Sequence, residues 1–539
     1  MKKILAKLCA IALVITMAFP GMAASAATKG VRVKTQDFSG KTIILHTNDV
    51  HGNVAGYTYI KGLKAYYEKQ GAEVILVDCG DFSQGTPYVS ISKGENAVTM
   101  MNAAAYDIAI PGNHEFDYGY EQLKSNIAKA KFKLLCADVF DESGKTIFDA
   151  CTVWTTKSGV KIGFFGLETP ETQTKVNPGL IPGIKFVQGE ELYKTAQAEV
   201  DKLKAKSDIV ICLAHLGVDA ESAPNTSYDL LKNTEGIDLV LDGHSHTVMT
   251  EGAEGEAIQS TGTKFAYVGK VVIDDATKAI ESRGLIPVNE FTPVSRKVNK
   301  VADKIIKEID SKYGAVFAKT EVLLNGEKAP GNRTEETNLG DLITDAILWS
   351  VTKTDNALTV DADHIVAITN GGGIRATVNI GDITMKDINT VLPFGNTVAV
   401  VYVTGEQLLE ALEASTYSTP GAVGGFPQVS GIKYTIDTTK EFDEGDLYPA
   451  STYHAPKSIK RVTIDEINGK AFSKKDTYAV ITNDFITSGG DTYYVFSNSA
   501  DMFDTGIVLD EAVVEYISTV LGGVIGSDYA EPQGRITIK

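Results

Sequence analysis

The feature that most limits how this chain can fold is a series of short apolar, strand-like runs in its first half. Five of them end on side chains able to hold a metal. Thr42–Thr47 leads into Asp49-Val50-His51, Glu73–Asp78 into Asp81, and Asp107–Ile110 into Asn113-His114. Asp208–Ala214 leads into His215, and Leu239–Leu241 into His244-Ser245-His246. A further strand is expected at Lys161–Gly166, and helical periodicity falls between the runs at Tyr59–Lys69, Glu95–Ala105, Tyr120–Ala130 and Glu190–Lys206. Short β-rich runs alternating with helices predict a layered α/β architecture. In such folds the loops at the carboxyl ends of the strands collect ligands, which is where every polar cluster falls.

The chain opens on a leader rather than on the fold. Lys2, Lys3 and Lys7 precede the apolar stretch Leu8–Met22, and Ala24-Ser25-Ala26 supplies small residues for cleavage, so residues 1–26 are expected to be a signal peptide. The apolar stretch falls short of the ~20 residues a bilayer span needs, which argues against a transmembrane anchor. The expected location is extracellular or in the cell envelope, periplasmic where an outer membrane exists. The formal net charge is -18, and loss of the leader's lysines makes it three units more negative. Such a surface argues against a partner that is a nucleic-acid polymer, while leaving room for a positive pocket around a small phosphate. The four cysteines beyond the leader form no CxxC pair and read chiefly as buried small residues, with Cys136–Cys151 the one pairing considered.

Beyond the leader the chain is too long for one typical core, so two domains are expected: 40–290 and 320–539, joined by 291–319. Val298, Val301, Ile305, Ile306 and Ile309 share one face of a lysine-rich stretch, which predicts a connecting helix over Val298–Tyr313.

Asp49 and His51 stand two residues apart, so in an extended chain both side chains point the same way and can grip one ion. Taken singly, each histidine has an ordinary reading as a hydrogen-bonded core or surface residue. Together, five of the chain's 8 histidines crowd into these loops, which points to a shared site for divalent cations. Mixed carboxylate, imidazole and amide donors suit Mn, Zn, Fe or Co better than Ca.

These segments resemble the calcineurin-like metallophosphoesterases and, within them, the 5'-nucleotidase family. They are Ile44-Leu45-His46-Thr47-Asn48-Asp49-Val50-His51-Gly52, Gly80-Asp81, Gly112-Asn113-His114-Glu115-Phe116-Asp117, His215 and Gly243-His244-Ser245-His246. The resemblance implies an N-terminal αββα metallophosphoesterase sandwich followed by a second α/β (α+β) substrate-binding domain, and a cofactor of two divalent metal ions. It implies that Asp49, His51, Asp81 and His246 hold one ion and Asp81, Asn113, His215 and His244 the other, with Asp81 bridging. It also implies that His114 contacts the phosphate and assists the leaving group while Asp117 orients it, although a helix-capping Asp117 would fit the sequence too. His46 reads as a packed structural histidine, and Asn53 stands where some relatives carry a phosphate-binding arginine.

The second half carries Arg333, Asn370-Gly371-Gly372-Gly373-Ile374-Arg375, Leu392-Pro393-Phe394-Gly395-Asn396 and Asn483-Asp484-Phe485-Ile486-Thr487-Ser488-Gly489-Gly490-Asp491. A glycine run after the apolar stretch Ile365–Ile368 allows a close backbone turn that presents Arg375. These stretches resemble the C-terminal domain of the same family. The resemblance implies that Phe394 and Phe485 sandwich a base, that Asp491 takes ribose hydroxyls, and that Asn370, Gly372 and Asn396 line the pocket. Arg333 and Arg375 are then left to receive phosphate or the sugar's edge. Thr492 departs from a common glycine, which makes base and sugar selectivity less legible than ester hydrolysis. The implied activity is hydrolysis of nucleoside 5'-monophosphates. Alternatives within the same chemistry are 2',3'-cyclic-nucleotide 2'-phosphodiesterase with 3'-nucleotidase activity, and UDP-sugar hydrolysis. A non-catalytic nucleotide-binding protein fits less well, since every ligand position is filled.

Overall fold

Alternation of side chains along the strands decides the layering of the first half. In the strand Lys41–Thr47, Ile44 points one way while Ile43 and Leu45 point the other, and each set enters a different core. Ile44, Ile75, Val77 and Ile108 meet Ile162, Phe164, Ile211, Leu213, Leu239 and Leu241 between two stacked sheets. Ile43, Leu45 and Leu76 instead pack under the helices Tyr57–Lys69, Glu95–Ala104 and Arg296–Tyr313. On the opposite surface Phe165, Leu167, Val210 and Cys212 pack under the helix Glu190–Lys204. The result is helix, sheet, sheet, helix. Burial of each such aliphatic side chain contributes about 1.5–3 kcal/mol relative to exposure.

This computed structural model describes residues 36–353 and 358–539; the expected signal peptide lies outside the described residues. The first six-stranded sheet runs in the order Ala279–Pro287, Tyr267–Asp274, Lys41–Thr47, Glu73–Asp78, Ile108–Ala109, Lys133–Leu134. The second runs Val248–Met249, Ile258–Thr261, Leu239–Leu241, Ile209–His215, Lys161–Glu168, Cys151–Thr155. Within each sheet the ligand-bearing strands are parallel, so their carboxyl ends emerge side by side. The run expected at Asp107–Ile110 pairs only over Ile108–Ala109. Beside it the Asp107 amide donates to the Leu76 carbonyl at 2.9 Å, and the Asp107 carboxylate accepts from Lys64 Nζ at 2.6 Å and from the Leu76 amide at 2.9 Å. The antiparallel hairpin Tyr267–Asp274 and Ala279–Pro287, which closes the first sheet, was not anticipated from the sequence.

The helix Arg296–Tyr313 starts where the Ser295 hydroxyl accepts the Val298 amide, and it buries Val298, Ala302, Ile305 and Ile309 against the first half. The second half is built on a five-stranded sheet in the order Pro427–Ser430, Ile365–Asn370, Thr477–Asn483, Thr397–Thr404, Met502–Val508. One face carries Ala367, Val400, Tyr402 and Ile481 under the helices Asn338–Thr352 and Leu509–Thr519. The other carries Val366, Ile368, Val401 and Val480 under the helix Gly405–Ser415. Cys79, Cys136, Cys151 and Cys212 are free thiols. Among the described residues no helix is long and apolar enough to cross a membrane.

The strand Ile365–Asn370 delivers the glycine run directly onto the segment that carries Arg333. A Cβ on Gly371 would lie 1.9 Å from the Asn332 carbonyl oxygen, so the two backbones that present Arg333 and Arg375 touch there. G371A is expected to cost about 1–3 kcal/mol in overpacking and to raise KM for a phosphate ester by spreading the two arginines. Thermal unfolding combined with steady-state kinetics checks this, and wild-type values in both would show that the close approach is not needed.

Candidate metal and nucleotide site

Room at the strand ends comes from glycine. A Cβ on Gly80, Gly112 or Gly243 would fall 2.8 Å from the His215 ring, and one on Gly112 would also fall 2.4 Å from Asp81 Oδ1. Each glycine precedes a predicted ligand in the chain, which leaves the volume beside His215 to the functional side chains. The backbone is bent to match. Asp49 (φ 50), His51 (φ 43), Asp81 (φ 62), His244 (φ 74) and His246 (φ 55) all adopt the left-handed conformation that L-residues avoid. Loop-to-loop bonds hold them so: the Asp49 amide donates to the Gly80 carbonyl and the His51 amide to the Asp81 carbonyl, both at 3.0 Å.

Two groups of ligand atoms result: Asp49, His51 and His246 in one, Asp49, Asp81 and His215 in the other. Asp49 is common to both. Asp81 Oδ2 faces both imidazole sets, 3.8 Å from His51 Nε2 and 3.3 Å from His215 Nε2. His51 Nε2 and His246 Nε2 face each other at 2.9 Å, and His246 Nε2 lies 3.5 Å from Asp49 Oδ1. Asn113 Oδ1 and His244 Nδ1 converge at 3.1 Å.

The donor set fits divalent cations on its own chemistry. His215 donates Nδ1–H to the Cys79 carbonyl at 2.7 Å, which turns Nε2 toward the carboxylates without a hydrogen-bond partner. Burial pushes His51 well below the ordinary imidazole range and His246 down to about 3, so both offer lone pairs. Burial also pushes Asp49 up to about 7, with the neighbouring Asp81 charge adding to the effect. Opposed lone pairs and crowded carboxylates take a positive charge between them, and metal loading exchanges protons for ions.

Around these groups lie residues that the sequence reading did not single out. Glu115 accepts the amides of Asp81, Phe82, Ser83 and Gly112 at 2.6–2.9 Å, so one buried carboxylate ties the Asp81 loop to the His114 turn. Glu171 Oε2 stands 3.3 Å from His244 Nε2. Burial opposes its charge, yet His244 draws the Glu171 carboxyl down to about 2. A carboxylate on the far nitrogen fixes which nitrogen of His244 faces a metal. Glu171 follows the strand Lys161–Glu168, and its signal in the sequence was that this strand too ends in polar residues, Glu168 and Glu171, though none is a histidine.

His114 sits one residue past Asn113 in the turn Asn113–Glu115, with its amide on Asp81 Oδ1 at 3.0 Å. Its Nδ1–H donates to Asp117 Oδ2 at 2.7 Å. Burial disfavours the imidazolium, but Asp117 and Asp81 outweigh it and raise His114 above its ordinary value. His46 is fully buried and Asn53 Nδ2 is spent on the Lys264 carbonyl at 2.9 Å.

The second-half residues open onto the same space. A cleft of about 590 Å³ is lined by His51, Asp81, Asn113, His114, Asp117, His244 and His246 from the front. From the rear it is lined by Arg333, Asn370, Gly372, Arg375, Phe394, Asn396, Phe485 and Asp491. Asp49 and His215 lie beneath its floor, fully buried. Asn370 Nδ2 donates to Asp491 Oδ2 at 2.8 Å, and Gly372 holds the turn through the Gly424 carbonyl at 2.7 Å. Asn396 Nδ2 is committed to Asp484 Oδ1 at 2.8 Å. Burial, reinforced by Arg333, lowers Arg375 to about 10. Phe485 packs against Gly490, where a Cβ would come within 2.2 Å of the ring.

Comparison with known proteins agrees with this geometry. Residues 42–248 match the calcineurin-like phosphoesterase family and 316–498 match the 5'-nucleotidase C-terminal domain. A 5'-nucleotidase of Vibrio cholerae is 29% identical over 94% of this chain and 95% of its own. The trifunctional nucleotide phosphoesterase protein YfkN of Bacillus subtilis is 29% identical over 88% of this chain, which spans 33% of that longer protein. The crystal structure of a 5'-nucleotidase precursor from Thermus thermophilus superposes with a TM-score of 0.74 at 27% identity, covering 92% of this chain and 99% of that one.

Fold and site together define a calcineurin-like metallophosphoesterase, an enzyme whose ligand groups suit a dinuclear divalent-metal centre. With its second domain the chain belongs to the 5'-nucleotidase family.

Because Asp81 faces both ligand groups, its removal is expected to weaken both at once. D81A should lower turnover by ~10³-fold or more and lower bound metal below the wild-type content. Metal analysis of purified protein beside a phosphate-release assay checks it, and near-normal turnover with a full metal complement would remove Asp81 from the shared position.

Proposed function

We propose that the protein hydrolyses nucleoside 5'-monophosphates to nucleoside and inorganic phosphate, acting outside the cytoplasm after removal of its leader. The observation that carries this reading is the cleft in which the clustered ligand groups face Arg333, Arg375, Phe394, Phe485 and the Asp491 carboxylate. The front domain, 40–290, supplies the chemistry; the rear domain, 320–539, joined through 291–319, supplies the nucleoside pocket. Asp49, His51, Asp81 and His246 hold one ion, and Asp81, Asn113, His215 and His244 the other.

Two divalent ions held by these groups supply the Lewis acidity that offsets phosphoryl charge and eases deprotonation of water. The chain's own residues do the rest. Arg333 and Arg375 draw the phosphate into the cleft, with Arg375 half-buried and able to bind bidentately. His114 keeps its Nδ1 proton on Asp117 and turns Nε2 to the ester, where it hands a proton to the departing 5'-oxygen. Phe394 and Phe485 offer aromatic faces to the base, worth about 1–3 kcal/mol each. Asp491, steadied by Asn370, accepts from the ribose hydroxyls.

A substrate panel tests the reading. Phosphate release is expected to be fastest from AMP and slower from 3'-AMP, cyclic nucleotides and UDP-glucose; a preference for one of the latter would reassign the substrate. F485A is expected to lower kcat/KM for AMP relative to p-nitrophenyl phosphate by roughly 5–150-fold, matching one lost stacking face. An unchanged ratio in a stable F485A protein would discard the aromatic clamp and leave the metal centre intact.

A further inference from the structure

The two aromatic residues of the rear domain stand in different surroundings. Phe485 packs on Gly490 within the rear core. The Phe394 ring lies on the imidazole of His114, with centroids 5.8 Å apart and planes inclined by 25°. That separation falls within the range at which aromatic rings attract by offset stacking. Arg375 covers Phe394 from another side, its guanidinium carbon 5.7 Å from the ring centroid.

His114 needs such a contact. Its bond to Asp117 holds the Nδ1 edge and leaves the aim of the Nε2 edge to the ring's other contacts. The His51 ring meets it edge-on at 5.5 Å and bounds one side. Phe394 supplies the face-on contact that bounds another. The loop that carries Phe394 also touches the front half and is tied to its own half. The Tyr118 hydroxyl, four residues past His114, donates to the Pro393 carbonyl at 3.4 Å, and the Arg375 amide donates to the Val391 carbonyl at 2.9 Å. Pro393 stiffens the approach, and Gly395 turns the chain away with φ 68, a conformation glycine adopts freely. Two adjacent residues of the rear loop, Pro393 and Phe394, therefore meet Tyr118 and His114 of the front half.

We infer that Phe394 is a positioning residue for His114: stacked on the imidazole, it aims Nε2 at the leaving oxygen, so that the rear domain completes the proton-donating group even for a substrate without a base. This rests on the reading of His114 as the proton donor to the leaving oxygen, and adds to the base-stacking role of Phe394 without depending on it. A swing of the ring by an ångström is enough to misalign the proton.

The test uses the full-length, metal-loaded enzyme and two esters with no nucleoside, phenyl phosphate and p-nitrophenyl phosphate. Phenolate leaves poorly without a proton, whereas p-nitrophenolate leaves readily. F394A is expected to lower kcat for phenyl phosphate by about 10–100-fold and for p-nitrophenyl phosphate by several-fold less, at equal metal content and with KM little changed. F394Y and F394W restore a flat ring and are expected to recover most of the loss, while F394L is not. In an H114A background F394A is expected to cost no further turnover, since the two act through one group. Three results would each overturn the proposal: unchanged kcat on both aryl esters with a loss confined to nucleotides, an equal loss on both esters, or a full additional loss in the H114A background. The substrate panel can fail without touching these outcomes, because neither ester carries a base or a ribose.

Discussion

Everything in this molecule is arranged around two aspartates, Asp49 and Asp81, buried side by side at the mouth of the sandwich. Two carboxylates in a low-dielectric pocket repel and lose hydration, a combination that either drives one to take a proton or calls for cations. The surroundings favour the second solution. His51 and His246 are kept neutral by burial, and His215 is turned by the Cys79 carbonyl so that its free nitrogen faces the acids. The left-handed backbone at Asp49, His51, Asp81, His244 and His246 costs of order 1–3 kcal/mol per residue, and the cross-loop bonds and Glu115's four accepted amides are what hold it.

The same constraint explains the domain arrangement. Over the acidic floor the rear domain brings Arg375 and Arg333 into the same cleft. The segments that carry those two arginines touch where Gly371 meets the Asn332 carbonyl, while Pro393-Phe394-Gly395 places a ring on His114. The clustered acids and histidines and the rear-domain side chains thus line one cleft. Polar bonds also cross between the halves: the Asp491 amide donates to the Thr174 carbonyl at 2.6 Å and Asn177 Nδ2 donates to Asp484 at 2.8 Å.

What the sequence made legible was whatever the strand pattern alone determines. Period-two apolar runs located the parallel strands, and the polar residue just past each run located Asp49, Asp81, Asn113, His215, His244 and His246, because a strand end can go nowhere but the sheet's edge. Glu171 escaped because its meaning depends on His244, which arrives from a different strand, and because a lone glutamate after an apolar run has no ligand pattern of its own. Glu115 was visible as a neighbour of His114, but its task of gathering amides from the Asp81 loop exists only once two strands lie side by side. The hairpin Tyr267–Asp274 and Ala279–Pro287 was passed over for a similar reason: it joins the sheet next to the first strand, more than two hundred residues earlier, and nothing local records that pairing. Phe394 was legible as a base-stacking aromatic between proline and glycine, while its stacking on His114 was not.

The most direct test of the account is a metal titration of the stripped wild-type protein, with bound ion, thermal midpoint and AMP turnover followed together. Two equivalents of Mn, Zn or Co are expected to bind per chain, with the midpoint rising as the buried carboxylates are neutralised and turnover appearing as the second equivalent is taken up. Binding of fewer than two ions, or AMP turnover that persists in the fully stripped protein, would contradict it.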